Sequence, residues 1–377
     1  MHELCRRLVQ ADHSVDVLTP RLPGAPGRQY LDGVHVTRFG YWFARFETLT
    51  GSSGILARLR HRPWRIGLIP CFMLGLLWAL NRSLRSTHYD LIHAHWLIPQ
   101  GILAAIFVPL VTTTPLICTA HGSDIHALRG PGARWLRRKV LQRTVLTTVV
   151  SQALCNELVS QGASPDKLVV APMGVDFHAL FVPDEFVRRQ QNRIVFVGRL
   201  IPLKGVDVLL KAFAEAKARH PALILEIIGD GPERRSLETM ASTLGIQHAV
   251  EFSGALPQAA LPPRYSAASI AVVPSLTEGF GLVALEAMGC GCAVIASDLP
   301  ALESIVLDEE TGLLFPPGDT SALKANLCRL FEEPPLCHRL AENGRRMALQ
   351  LHDWSIVTQT YLGIYHSATC RAGARGT

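Results

Sequence analysis

Ile194-Val195-Phe196-Val197-Gly198-Arg199-Leu200-Ile201-Pro202-Leu203-Lys204-Gly205 is the stretch on which the fold turns. Its first four residues are continuously apolar, the pattern of a parallel strand buried on both faces. Gly198 turns the chain and Arg199 follows at the strand's carboxyl end, where open α/β sheets bind their ligands. Lys204-Gly205 then opens a predicted helix, Val206 to Lys217. An anion held here would meet Arg199 as a planar fork, Lys204 as a point charge and the positive end of a helix. By itself the stretch also fits two surface cations beside a turn.

A second stretch, Glu278-Gly279-Phe280-Gly281-Leu282-Val283-Ala284-Leu285-Glu286, supplies two carboxylates around small glycines. The apolar run Ile270–Val273 precedes it and Pro274-Ser275-Leu276-Thr277 leads out of that strand. Gly279 and Gly281 lack β-carbons, so their backbone N–H groups can approach a ligand closely. A helix beginning near Gly281 puts Glu286 on its second turn and Glu278 in the loop before it. Both carboxylates can accept hydrogen bonds from hydroxyl groups. Cations for a diphosphate and carboxylates for hydroxyls together suggest a nucleotide-sugar site.

Working outward, strands alternate with helical stretches, the pattern of parallel α/β layers. Strands are expected at Val15–Leu18, Val34–Phe39, Leu91–Ala94, Leu116–Thr119, Val145–Val150 and Leu168–Val170. A polar linker, Pro183 to Asn192, precedes a second series: Ile194–Val197, Ile224–Ile228, Val250–Ser253, Ile270–Val273, Ala293–Ala296 and Leu313–Phe315. Two doubly wound halves meet near residue 185. The chain opens on a helical stretch, His2 to Ala11, with Leu4 and Leu8 on one face, where a doubly wound domain normally opens with a strand and a glycine-rich turn. The first half is therefore expected to lack its opening strand and glycine loop, so that residues 1–377 alone fold poorly there. Residues 373–377 look like a frayed tail.

Composition narrows the classes. The 377 residues are 48% hydrophobic and 18% charged with a net charge of +6, which is globular and too mildly basic to argue for nucleic acid. No nucleic-acid module is present. The nine cysteines include no CxxC pair, so reduced thiols in a cytoplasmic protein are expected. No secretory signal is visible. The longest apolar run, Ile66 to Leu80, is fifteen residues, short of the ~20 that span a bilayer. Arg58, Arg60, His61, Arg62, Trp64 and Arg65 precede it, and Arg82 and Arg85 follow. Residues 58–85 therefore fit either a core helix with solvated ends or a peripheral attachment to an anionic, cytoplasmic membrane face.

In the first half His121 follows the run Leu116-Ile117-Cys118, at a strand's carboxyl end, and Gly122 lets the backbone turn there. A structural histidine fits the same position. Pooling His93, His95, His121, Asp124 and His126 as metal ligands is a third reading, but no spacing among them matches a known site. A nicotinamide dehydrogenase would need GxGxxG after a first strand with an acid about twenty residues on, and this chain has none.

With these motifs in place, the chain resembles the family-4 retaining glycosyltransferases of GT-B fold. The resemblance is carried by His121-Gly122-Ser123-Asp124, Met173-Gly174-Val175-Asp176, Gly198-Arg199-Leu200 with Lys204-Gly205, Ile228-Gly229-Asp230-Gly231-Pro232, and the Glu278…Glu286 pair. It implies an α/β architecture of two doubly wound Rossmann-like domains facing across a cleft: an acceptor-side domain at 1–184, a donor domain at 185–352, and at 353–377 a helix crossing back to the first domain plus the tail. It also implies transfer of a sugar from a nucleotide-sugar donor to a saccharide or lipid-linked acceptor, with no metal or other cofactor required. Arg199 and Lys204, next to Gly198, would hold the diphosphate, Glu286 the ribose and Glu278 the transferred sugar. Gly279, Phe280, Gly281 and Leu282 would support the donor, Leu256 would abut the base, and His121 would sit against the reacting sugar or acceptor. His121, Glu278, Arg199 and Lys204 would carry the catalysis. The alternative is a truncated or degenerate relative that binds nucleotide-sugar without turnover.

Overall fold

A computed structural model describes residues 1–50, 55, 58, 59, 62–126, 128 and 130–373, with backbone alone at 63, 123 and 126. Arg60, His61, the side chain of His126 and the tail 374–377 lie outside the described residues. The chain divides into two units. One comprises 1–150, 154–171 and the chain from Thr358 onward; the other comprises 151–153 and 172–357.

The first unit opens with α1 (His2–Gln10), which buries Leu4 and Leu8, one turn apart on its inner face. Strands β1 (Asp16–Pro20), β2 (Arg28–Leu31) and β3 (Val34–Phe39) form a small sheet of order β1-β3-β2. The hairpin β2–β3 was not expected. Its turn is Asp32-Gly33, both at positive φ (51° and 82°), the geometry of a two-residue hairpin turn. Two helices follow, α2 (Leu68–Ser86) and α3 (Ile102–Val111). Strands β4 (Ile92–His95), β5 (Leu116–Ala120), β6 (Leu146–Val149) and β7 (Leu168–Val170) form a second, wholly parallel sheet of order β4-β5-β6-β7. Every residue of β5 and β6 is buried, as their unbroken apolar and threonine sequences require. Among the described residues the two sheets share no ladder, with β1 and β4 at their edges.

The second unit is built on β8 (Gln190–Val197), β9 (Ile224–Ile228), β10 (Val250–Gly254), β11 (Ala268–Val273), β12 (Ala293–Ser297) and β13 (Leu313–Phe315). All neighbours pair in parallel, in the order β10-β9-β8-β11-β12-β13. Taken in chain order this is 3-2-1-4-5-6, the doubly wound arrangement, with its switch point between β8 and β11. Helix α4 (Val206–Arg219) buries Leu209, Leu210 and Phe213 against Ile194, Leu225 and Ile227 of the sheet. Helices α5 (Leu282–Gly289) and α6 (Trp354–Gly373) complete the elements used below; α6 starts in the second unit, and from Thr358 on it counts with the first.

Two details depart from the linker and boundary read near 185. Strand β8 starts at Gln190, inside the polar stretch, because Gln190 pairs with Ala268 and the Arg189 guanidinium donates to the carbonyls of Ala268 and Cys290. Residues 172–184 pack with the second unit. Val175 N–H donates to His352 O at 2.8 Å, and the Phe177 ring lies 2.6 Å from where a β-carbon on Gly289 would stand.

Phe72 of α2 is 1% exposed and meets Phe39 and Tyr41 at ring distances of 5.5 and 5.4 Å. Replacing it by alanine should cost about 3–5 kcal/mol, the range for emptying a buried aromatic site. The expected outcome is a lowered thermal midpoint for the first-unit transition of the full chain, followed by calorimetry.

Candidate active site

The switch point brings the two chemistry-bearing stretches together. Gly198 leaves the carboxyl end of β8, and Pro274 leaves that of its neighbour β11. The loops are tied by the Leu276 N–H, which donates to Leu203 O at 2.9 Å. Gly205, the residue before α4, has φ 62°, and a β-carbon there would stand 2.0 Å from Pro274 O. Only glycine allows that approach, so Lys204 is held directly against the Pro274–Glu278 loop.

The consequence is an ion pair. Lys204 Nζ donates to Glu278 Oε2 at 2.6 Å, with both side chains mostly shielded from water. Ser275 Oγ donates to the same oxygen at 3.1 Å, and Gly279 N–H donates to Oε1 at 3.1 Å. Three donors thus fix one carboxylate. Arg199 is exposed, and its side chain has no hydrogen bond or ion pair among the described residues, so its guanidinium is available to an incoming anion.

Glu286 sits apart from this pair, on the second turn of α5. It is 8% exposed and accepts from Gln258 Nε2 at 3.3 Å and Tyr265 OH at 3.4 Å. Both bonds are long, and burial pushes its pKa up to about 7. Gly281, just ahead of α5, has φ 96°, and a β-carbon there would stand 2.5 Å from Leu302 Cδ2. Phe280 is buried with its ring edge-on to His352 at 5.7 Å, and Leu282 begins the helix half-buried. Leu256 is half-buried on the segment that leads from β10 to Gln258.

Three partners escaped the sequence reading: Ser275, Gln258 and Tyr265. Ser275 was legible, since it stands only three residues before Glu278 in the same loop. Gln258 and Tyr265 lie 28 and 21 residues from Glu286, and no local pattern marks them.

In the first unit, His93 and His95 project from the same side of β4, rings 4.1 Å apart. His95 Nδ1 and His121 Nε2 are hydrogen-bonded at 3.1 Å, and the Trp96 ring lies 4.9 Å from that of His121. Both His93 nitrogens are engaged, Nε2 with Thr119 Oγ1 at 2.7 Å and Nδ1 with Tyr365 OH at 3.0 Å. Asp124 accepts from His121 N–H at 3.1 Å and from Leu97 N–H at 2.7 Å, so it fastens the turn after β5 to the end of β4. Among the described residues no three His, Cys, Asp or Glu side chains are grouped to hold a metal ion. Burial lowers the pKa of His93 to about 3, of His121 to about 4, and of His95 well below its ordinary value. All three rings are neutral at pH 7.

Comparison with known proteins identifies the family. The model of "Glycosyltransferase Family 4" matches residues 1–178, and that of "Glycosyl transferases group 1" matches residues 182–347. The MMP alpha-(1->4)-mannosyltransferase of Mycolicibacterium hassiacum is 32% identical over 77% of this chain and 73% of its own length. The chain belongs to glycosyltransferase family 4. It is a transferase, and its fold is GT-B, with two Rossmann-like domains. A D-inositol 3-phosphate glycosyltransferase of Salinispora arenicola is 30% identical over 100% of this glycosyltransferase and 88% of its own length. Sucrose-phosphate synthase from Thermosynechococcus elongatus superposes with a TM-score of 0.77 at 24% identity, covering 97% of this chain and 91% of that one. HepE of Anabaena, solved with UDP and glucose, superposes with a TM-score of 0.72 at 19% identity, covering 94% and 100%.

The raised pKa of Glu286 in this glycosyltransferase has a testable sign. Between its ordinary value of 4.5 and about 7 the folded chain binds a proton that the unfolded chain has released. Stability from this group is therefore present below pH 4.5 and falls as pH rises towards 7. Glu286→Gln keeps the shape without the titration, so it should lose less stability than the parent between pH 4.5 and 7.5. The difference should be roughly 2–3 kcal/mol, read from urea unfolding at the two pH values. Parallel pH profiles for the two proteins would show that Glu286 titrates normally.

Proposed function

We propose that this chain is a retaining glycosyltransferase that moves a sugar from a nucleoside diphosphate sugar to a saccharide or lipid-linked acceptor in glycan biosynthesis. The observation that carries the donor assignment is the Lys204–Glu278 pair beside an unpaired Arg199 at the switch point of the second unit. Two cations at one strand end match the charge of a diphosphate, and the carboxylates match hydroxyls. HepE binds UDP, and its shared fold supports the same class of donor here.

Transfer develops positive charge at the anomeric carbon and negative charge on the departing diphosphate. Lys204, held by Glu278, opposes the second charge from a fixed position, as a preorganised donor must to lower the barrier, and the free Arg199 guanidinium adds a second cation beside it. Lys204 has three N–H donors, so it can hold Glu278 and a phosphate oxygen together. Glu278, fixed by Lys204, Ser275 and Gly279, is oriented to accept from hydroxyls of the transferred sugar. Glu286 would take the ribose hydroxyls in exchange for its two long bonds to Gln258 and Tyr265. Phe280, Gly281 and Leu282 support the donor, and Leu256 abuts the base. His121, neutral and positioned by Asp124, is suited to hydrogen-bond the reacting sugar or the acceptor. Retention rests on membership of the family, and NMR of the product's anomeric proton tests it.

Lys204→Ala and Arg199→Ala should each weaken binding of the matching nucleotide-sugar by about 1.5–3 kcal/mol, the worth of a hydrogen bond to a charged group. Calorimetry on the full chain, with UDP- and GDP-sugars screened first, measures this. Unchanged affinity in both variants would remove the phosphate assignment.

Turnover should not require a divalent ion, because the protein's own cations already face the leaving group. Activity should persist in excess chelator. Complete loss that added magnesium or manganese reverses would move the leaving-group charge onto a metal.

A further inference from the structure

Helix α2 is apolar on two opposite sides, and only one is covered. Leu68, Phe72, Leu76 and Ala79 are buried in a cluster with Phe39, Tyr41, Leu49 and Leu103. Pro70, Leu74, Trp78 and Arg82 are exposed. The two rows are offset by two residues, or about 200° around the helix. Leu74 and Trp78 are 65% and 62% exposed, so among the described residues nothing covers the outer row. A β-carbon on Gly75 would stand 2.7 Å from Gly40 O, which sets α2 against the loop carrying the exposed Trp42 and Phe43.

Charge decides what fits this face. Residues 48–89 contain six arginines and no Asp or Glu, and of the described arginines Arg62, Arg82 and Arg85 are exposed. Arginine guanidiniums lie over aromatic rings at three places: Arg45 over Phe46 at 4.8 Å, Arg65 over Trp64 at 5.8 Å and Arg82 over Trp78 at 5.6 Å. The two tryptophan pairs put a cation at the level of an amphipathic ring, as at a membrane–water interface. Trp78, Asn81, Arg82, Arg85 and Ser86 line an open depression at the helix's end, with Arg85 Nε donating to Asn81 Oδ1 at 3.1 Å. Two guanidiniums beside an indole suit a lipid phosphate.

We propose that this face docks the enzyme onto the anionic cytoplasmic leaflet of a membrane, with α2 lying in the plane of the interface and lipid phosphates taken between Arg82 and Arg85. Segment 64–86 is also long and apolar enough to cross a bilayer. Spanning, however, would strip Leu68, Phe72 and Leu76 from the core that seats them, whereas lying flat uses the free row and keeps the buried one. The inference stands apart from the donor assignment, and its test reads vesicle binding rather than transfer.

The full chain should co-sediment with phosphatidylcholine vesicles containing phosphatidylglycerol, less so as salt rises, and little with phosphatidylcholine alone. Arg82→Ala with Arg85→Ala should weaken partitioning by about fivefold per arginine, roughly 30-fold in all. Leu74→Ser with Trp78→Ser should abolish binding with no change in thermal midpoint, since both side chains are exposed. Equal binding to both vesicle types, or unaltered binding by both double variants, overturns the proposal. So does a dimer that Leu74→Ser with Trp78→Ser dissociates while no vesicle is bound, which would make a second copy the occupant. Retention in membranes washed with alkaline carbonate would likewise overturn it in favour of a spanning helix.

Discussion

The ladder between β8 and β11, Ile194 beside Ile270 and Val195 beside Ala271, is the constraint on which the candidate site depends. These strands are far apart in sequence and adjacent only because the sheet reverses direction of growth between them. Their carboxyl ends therefore open side by side, and whatever follows each strand meets. Lys204 follows one and Glu278 the other. The close approach at Gly205 converts that neighbourhood into a 2.6 Å ion pair. Shift either strand by one residue and its side chains exchange the two faces of the sheet, so the packing of Ile194, Phe196, Ile270 and Val272 on one face holds the register on which the site depends.

The two carboxylates at this site live under different physical conditions. Glu278 has three donors, one of them a cation, and its negative charge is well supported. Glu286 is buried with two long neutral donors, and its pKa rises to about 7. A pair that looks equivalent in sequence is thus split into an anchored anion and a carboxyl whose charge is costly until a ligand supplies better hydrogen bonds. The histidines show the same effect with opposite sign. Burial removes their charge and leaves them as neutral donors and acceptors in a chain from Thr148 through Thr119 to His93 and Tyr365.

Much of this was legible in the chain itself. Apolar runs such as Ile194–Val197 and Ile270–Val273 marked the strands to within a few residues, because a strand buried on both faces can tolerate little else. The hairpin turn Asp32-Gly33 and the Ser275-x-x-Glu278 spacing were equally written in the sequence, though weaker than the signals around them. The start of β8 at Gln190 was not legible, since polar residues join a strand there only because Ala268 pairs with Gln190 and the distant carbonyls of Ala268 and Cys290 accept from Arg189.

The sequence by itself determined where strands and turns fall, which loops carry cations and carboxylates, and the family, because each of these follows from local periodicity, glycine placement and residue type. Only the tertiary structure decided that Lys204 pairs with Glu278, that Gln258 and Tyr265 surround Glu286, and that, among the described residues, the Arg199 guanidinium and one apolar face of α2 have no partner. Charge state, pairing and exposure depend on what arrives from distant parts of the chain. Burial by residues tens of positions away shifts a pKa or leaves a leucine in water, and no pattern local to Glu286 or Leu74 records it.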